Sequence, residues 1–287
     1  MEIGCEHDRQ HGRRADAPAG GAYVHLYGVR LLHLGDADCP GPELYWMSDW
    51  DQRYRLAFQA MLVRGPGVTA LIGTGPAEDL TAMNEQWASF LGDWAAMRRE
   101  PGQWLPDQLA ALGVAPEDIT HVLLTPLQLY TVSNVPLFPN ARICLTERGW
   151  AHFHRTHRHP HDDRDACLPP HVLGYLIGEA WDRVRLLADE DEVAPGIRTW
   201  WTGSHHRASM AVEMDTPAGV VTVTDAYFTR RNLDTDHPIG ICENIYEALA
   251  AHERVRRIAD HALTLYDPEQ LERYPDGIVV PAPADPM

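Results

Sequence analysis

Two runs of short apolar segments constrain the fold of this chain most strongly. The first run comprises Tyr23–Leu34, Phe58–Val63, Val68–Ile72, Ile119–Leu124 and Ala141–Leu145. The second comprises Gly196–Trp201, Met210–Thr216, Gly219–Thr224 and His261–Leu265. Each segment has strand length and is bounded by turn residues, such as Arg64-Gly-Pro-Gly67 and Pro217-Ala218. Segments with helical spacing lie between and after them, at Glu78–Leu91, Trp104–Leu112, Leu173–Trp181 and Cys242–Ile258. Strands grouped in this way do not fit a doubly wound alternation of strand and helix. They suit two packed sheets covered by helices. Asp36–Asp51 and Thr125–Phe138 read as loops, and Arg148–Pro170 is polar and His-rich. The reading is a polar, disordered leader over 1–21, one domain over 22–280 and a loose, proline-rich tail over 281–287.

Composition narrows the chemistry. All 24 basic residues are arginine, and lysine is absent. Without lysine no internal aldimine can form, which excludes Schiff-base aldolases and pyridoxal-phosphate enzymes. A P-loop is excluded for the same reason. A net charge of −17 repels phosphate backbones and anionic membranes, so neither nucleic acid nor membrane is an expected partner. No apolar run reaches the ~18 residues of a membrane span. Met1–Gly21 lacks the apolar region of a signal peptide. Five widely spaced cysteines contain no Cys-x-x-Cys pair, which points to a reducing compartment, read as the cytoplasm.

Five separated segments carry a family resemblance. They are Leu71-Ile-Gly-Thr-Gly-Pro76, Asp118–Thr125 with Leu137–Arg142 beyond it, Trp201–Met210, Val223-Thr-Asp-Ala-Tyr227 and Ala259–Pro268. In order and spacing they resemble the metallo-β-lactamase superfamily, with the flavour of its quorum-quenching lactonase branch. The resemblance implies an α/β fold, an αββα sandwich of two mixed β-sheets flanked by helices. It also implies a hydrolase whose metals are held by histidines and aspartates. At the matching positions most of those ligands are replaced. Pro126, Gln128, Tyr130 and Thr131 occupy the His-x-His-x-Asp-His stretch, Tyr266 stands for the final histidine and Gly73 for the turn aspartate. His205 and Asp225 are retained. Proline has no side-chain donor, and Gln and Thr are weak zinc ligands, so the expectation is no standard dinuclear zinc site and no cofactor.

The residues brought together by that alignment are Gln128, Tyr130, His205, Asp225 and Tyr266, and three readings of them stand open. In the first, Asp225 orients His205 as a general acid or base, while Tyr130, Tyr266 or Gln128 donates hydrogen bonds to a developing oxyanion. The substrate is then a small ester, lactone or related metabolite. In the second, His205 and Asp225, with the two tyrosines, hold a single unusual metal ion such as ferric iron. In the third the pocket is catalytically inert and binds a ligand, the tyrosines filling the vacated cavity. His206, Arg207 and Tyr227 are the candidate substrate-binding residues. Arg207 is suited to a substrate carboxylate, or else to a nearby acidic side chain. Trp200, Trp201 and Tyr227 would wall a pocket or pack a core. The His152–His161 tract holds five histidines, suited to surface metal binding or to a solvated loop. Cys242 reads as a buried thiol.

Overall fold

A computed structural model describes residues 25–155 and 163–283. The expected leader and the end of the tail fall largely outside these residues, as does much of the histidine tract. Twelve strands form two sheets. In chain order they are β1 (Gly28–Pro40), β2 (Arg53–Gly65), β3 (Val68–Ile72), β4 (His121–Leu123), β5 (Arg142–Thr146) and β6 (Val184–Leu187). Then follow β7 (Glu190–Ala194), β8 (Ile197–Trp201), β9 (Met210–Thr216), β10 (Gly219–Thr224), β11 (His261–Leu263) and β12 (Ile278–Val280). The first sheet runs β12-β1-β2-β3-β4-β5-β6 and the second β11-β10-β9-β8-β7. Strands β3 to β6 are parallel to one another, as are β10 and β11, and the remaining pairs are antiparallel. Both sheets are therefore mixed, and helices flank them, as expected from the grouping of the apolar runs.

One continuous core lies between the sheets. Met61, Leu71, Ile72, Val122 and Ile143 from the first sheet meet Val212, Met214, Val221 and Leu263 from the second, all essentially inaccessible to solvent. A smaller cluster on the outer face of the second sheet packs Trp200, Ala211 and Tyr227 against the Ile245–Ile258 helix. That helix is started by Asn244, whose side chain accepts from the Tyr246 and Glu247 amides.

The structure departs from the sequence reading at the edges. The first strand begins later and runs on through Gly35-Asp-Ala-Asp-Cys-Pro40, where a loop was expected. This stretch has poor strand formers, but β2 pairs with it along its whole length, and tertiary pairing overrides propensity. Strands β6, β7 and β12 and the Glu147–His154 and Arg230–Thr235 helices were not anticipated. The expected 125–138 loop contains a helical turn at Leu129–Val132.

His252, on the inner face of the long helix, is fully buried and neither ring nitrogen has a hydrogen-bond partner. Asp236 stands 3.7 Å away, too far to bond. Burial, only partly opposed by Asp236, pushes the imidazole down to about 4. The unfolded chain thus binds a proton here that the folded chain refuses between about pH 6.5 and 4. The stabilisation is complete above pH 6.5 and lost as pH falls through that window. Urea unfolding should show about 3 kcal/mol of pH-dependent loss that is missing in His252→Leu. Identical slopes for the two proteins would refute the assignment.

Candidate functional site

The C-terminal ends of β4 and β10, one in each sheet, and the 202–209 loop between β8 and β9 converge at Asp225. Its carboxylate is fully buried and accepts three side-chain hydrogen bonds. Thr125, at the end of β4, donates to Oδ1 at 2.6 Å. Ser209 donates to Oδ2 at 2.5 Å, and His205 Nδ1 bonds the same oxygen at 3.0 Å. An ionised carboxylate is an acceptor only, so the proton of this last bond sits on Nδ1. His205 Nε2 therefore carries the free lone pair of the neutral ring. The serine bonds the aspartate rather than the histidine, so it supports the site and is not an activated nucleophile.

The loop that carries His205 is held under local strain. Gly203 and Ser204 both adopt left-handed backbone conformations, with φ of 57° and 65°. A side chain at 203 would strike the Glu247 carboxylate and the Trp201 ring. Ser204 has no such excuse and adopts a conformation uncommon outside glycine, a cost on the order of 1 kcal/mol. Glu247 offsets it by accepting the Ser204 amide at 3.0 Å. Glu247 and Glu243 also bind Arg207. The guanidinium is thus committed to two carboxylates and braces the loop, and it is not directed at a substrate. Burial opposes its charge, but these partners still hold it above its ordinary value.

Tyr227 is also turned elsewhere. It is buried in the outer cluster and donates to the Leu263 carbonyl at 3.0 Å. The inner residue of that segment is Phe228, whose ring stands edge-on to His205 at 4.9 Å. His206 points away from His205 and faces Cys167. Gln128 lies beside the same sulfur.

Tyr266 and Tyr130 do converge on the site. Tyr266 is 2 % exposed and packs against Phe228 at 4.5 Å, Phe58 at 5.7 Å and His205 at 6.2 Å. Its hydroxyl is buried with no hydrogen-bond partner. The Tyr130 phenol is its polar neighbour, with rings 6.3 Å apart. The two perturb each other's titration without meeting the geometry of a hydrogen bond. Burial first, then charge on Tyr130 and Asp225, holds the Tyr266 phenol well above its ordinary value. Burial and Asp225 do the same for the partly exposed Tyr130. Both are neutral donors at any physiological pH. Trp87 and Phe58 complete an aromatic wall around Tyr130.

Tyr266 is fixed by buried amides. The backbone amides of Ala57 and Gln59 on β2 donate to the Tyr266 and Leu265 carbonyls, each at 2.9 Å. The Gln270 carboxamide donates to Gln59 at 2.6 Å and to the Thr264 carbonyl at 2.8 Å, and accepts the Thr264 amide. None of this brace was foreseen from sequence, nor were the Thr125 and Ser209 donors. The available signals were a polar residue closing an apolar strand and a serine inside a matched motif.

No family model matches the chain. It is similar to the N-acyl homoserine lactonase AiiB of Agrobacterium fabrum, with 27% identity over 182 residues, 60% of this chain. The protein of the same name from Rhizobium rhizogenes is 26% identical over the same extent. The match spans 64% of the length of each of these relatives. A solved N-acyl homoserine lactone hydrolase, with N-hexanoyl-L-homoserine at its catalytic metal centre, superimposes with a TM-score of 0.71. It covers 86% of this chain and 95% of its own, at 16% identity. The chain has the metallo-β-lactamase fold. AidC, a dizinc quorum-quenching lactonase, shares the fold with a TM-score of 0.62 and 13% identity, covering 92% of this chain and 96% of its own.

The metals that this fold holds in such lactonases do not fit the side chains present here. Thr131 spends its hydroxyl on the Pro126 carbonyl at 2.6 Å. Asp225 is occupied by three donors, and the two phenols stay protonated. His205 Nε2 is left as the one strong nitrogen donor of the set, against the three protein ligands of a catalytic zinc. Among the described residues, no three His, Cys, Asp or Glu side chains group to hold a metal ion. No helix among them is long and apolar enough to cross a membrane.

Ser209→Ala removes one donor from a buried carboxylate and should cost about 1–3 kcal/mol in urea unfolding. A change below about 0.5 kcal/mol, the scatter of ordinary surface substitutions, would show that Asp225 does not depend on it.

Proposed function

We propose that this protein is a metal-independent hydrolase-like enzyme acting on a small ester or lactone. The observation that carries the reading is the Tyr266 hydroxyl, buried without a partner beside a histidine oriented by a buried aspartate. An unsatisfied buried hydroxyl costs about 1–3 kcal/mol and is retained where a ligand supplies its acceptor. In this reading Tyr266, with Tyr130, donates to the carbonyl oxygen as negative charge develops on it. His205 Nε2 takes a proton from the attacking water and returns it to the leaving oxygen. Asp225 holds the tautomer and stabilises the imidazolium. The similar lactonases make a cyclic ester a reasonable substrate class, and the aromatic wall of Phe58, Trp87 and Phe228 suits an apolar substituent.

A second reading has its own support, because the same rings pack closely around His205 and leave it only 8 % exposed. A protein that binds a ligand without turning it over would have this filled site.

The test is Tyr266→Phe. It should raise stability by about 1 kcal/mol, because an unpartnered polar atom is removed, and should lower turnover of the best substrate in an ester and lactone panel by about 10²–10³-fold. His205→Ala should lower turnover about 10²–10⁴-fold with the fold intact. A stability gain with no panel activity in any variant would favour the binding reading. Untagged protein should turn over its substrate equally before and after chelation, and activity that tracks bound zinc would sink the metal-independent mechanism.

A further inference from the structure

The long Ile245–Ile258 helix does more than cover the second sheet. Glu247, in its first turn, accepts the Ser204 amide at 3.0 Å and binds Arg207. The path of the loop that carries His205 therefore depends on where this helix sits.

Little holds the helix down. Its buried face is Ala248, Ala251, His252 and Val255, and such small side chains remove little apolar area from water. Polar atoms in the same layer lack partners: both His252 nitrogens, Trp200 Nε1 and Thr222 Oγ1. Trp200 belongs to the cluster under the helix. Thr222 lies between the inward Val221 and Val223, so alternation turns it to the same outer face. Further ties are the ion pairs of Arg254 with Glu190 and of Arg256 with Asp236, which are partly solvated and worth little. A helix attached in this way opens at lower cost than the strands behind it.

His252 makes that opening depend on protons. The Tyr227 ring, beyond β10, stands edge-on to it at 5.9 Å, and its phenol is spent on the Leu263 carbonyl. Asp236, at the end of the Arg230–Thr235 helix, lies 3.7 Å away. Arg256, one turn along the long helix, holds that carboxylate at 2.7 and 3.0 Å. Asp236 is thus already neutralised and offers an imidazolium little. The seated ring refuses a proton that it accepts once water reaches it, so proton uptake favours the detached helix.

We propose that this helix is an acid-sensitive clamp on the candidate site: when His252 is protonated the helix leaves the second sheet, and Glu247 releases Ser204 and Arg207 with it. The clamp is independent of the proposed hydrolysis, because it is read from backbone amides and not from turnover.

The experiment is amide hydrogen exchange on the full chain at pH 7 and pH 5, corrected for the intrinsic exchange of each amide. Protection of the helix and of the Ser204 amide should fall together by about twentyfold, while β2, β3 and β9 keep theirs. That is the ratio for a ring that burial holds down at about 4 and that water returns to about 6.5. His252→Leu and His252→Gln, neither able to take up the proton, should show no such fall. Glu247→Ala should leave the response of the helix intact and remove that of Ser204. An equal fall in either His252 variant would assign the proton elsewhere and overturn the proposal. Loss of protection throughout the sandwich at the same pH, or a Ser204 amide that still follows pH in Glu247→Ala, would overturn it too.

Discussion

The buried Asp225 carboxylate is the interaction on which the site depends. A fully desolvated charge is tolerated only when donors surround it, and here they come from two separate places in the chain. Thr125 brings the end of β4, Ser209 and His205 bring the loop before β9, and Asp225 itself closes β10. The Thr125 bond joins the two sheets at this point, while the His205 and Ser209 bonds tie the loop before β9 to the end of β10. Loss of any donor leaves a charge short of partners, so the site has little freedom to drift. Two hydroxyls and one imidazole tie these elements together, and the aromatic rings of Phe58, Tyr130, Phe228 and Tyr266 pack beside them.

The same constraint decides between the two readings of Arg207, a substrate carboxylate or a nearby acidic side chain, in favour of the second. Arg207 follows two histidines on a loop of the candidate site, and such a position suggests substrate recognition. The loop needs Ser204 in a left-handed conformation, however, and Glu247 has to reach it. A carboxylate brought that close needs a cation, and Arg207 is the nearest one in the chain. Its partners lie some forty residues away in sequence, so no local pattern could have revealed them. Tyr227 differs from Phe228 by a single step along the chain, and the alternation at the end of β10 sends the two rings to opposite faces.

The sandwich was legible because its central strands are buried on both faces and read as continuous apolar runs. Val68–Ile72 is the clear case, with the same bounds in sequence and structure. Edge strands carry no such signal. β7 is Glu-Asp-Glu-Val-Ala, half solvated and acidic, and forms because β8 offers it a ladder. β12 is three residues long and is defined by its pairing with β1. At the site, His205, Asp225, Tyr130 and Tyr266 could be placed together because they fall in matched motifs. Their supports, Thr125, Ser209, Gln59 and Gln270, are ordinary polar residues whose importance appears only when their partners are known.

Two features of the site pull in opposite directions, and their balance bears on what it does. Close aromatic packing around His205 is what a core would build, and a core has no use for an unpaired hydroxyl. Phenylalanine at 266 would preserve every ring contact and remove the unsatisfied oxygen, so packing alone does not account for tyrosine. Ser204 keeps its left-handed conformation for a structural use, because its hydroxyl donates to the Ala226 carbonyl at 3.3 Å and lies 3.6 Å from the Cys242 sulfur. The unpaired Tyr266 hydroxyl costs on the order of 1 kcal/mol and stands in ring contact with His205. An unpaired oxygen beside an imidazole oriented by a buried carboxylate is what the proposed ligand-accepting site rests on.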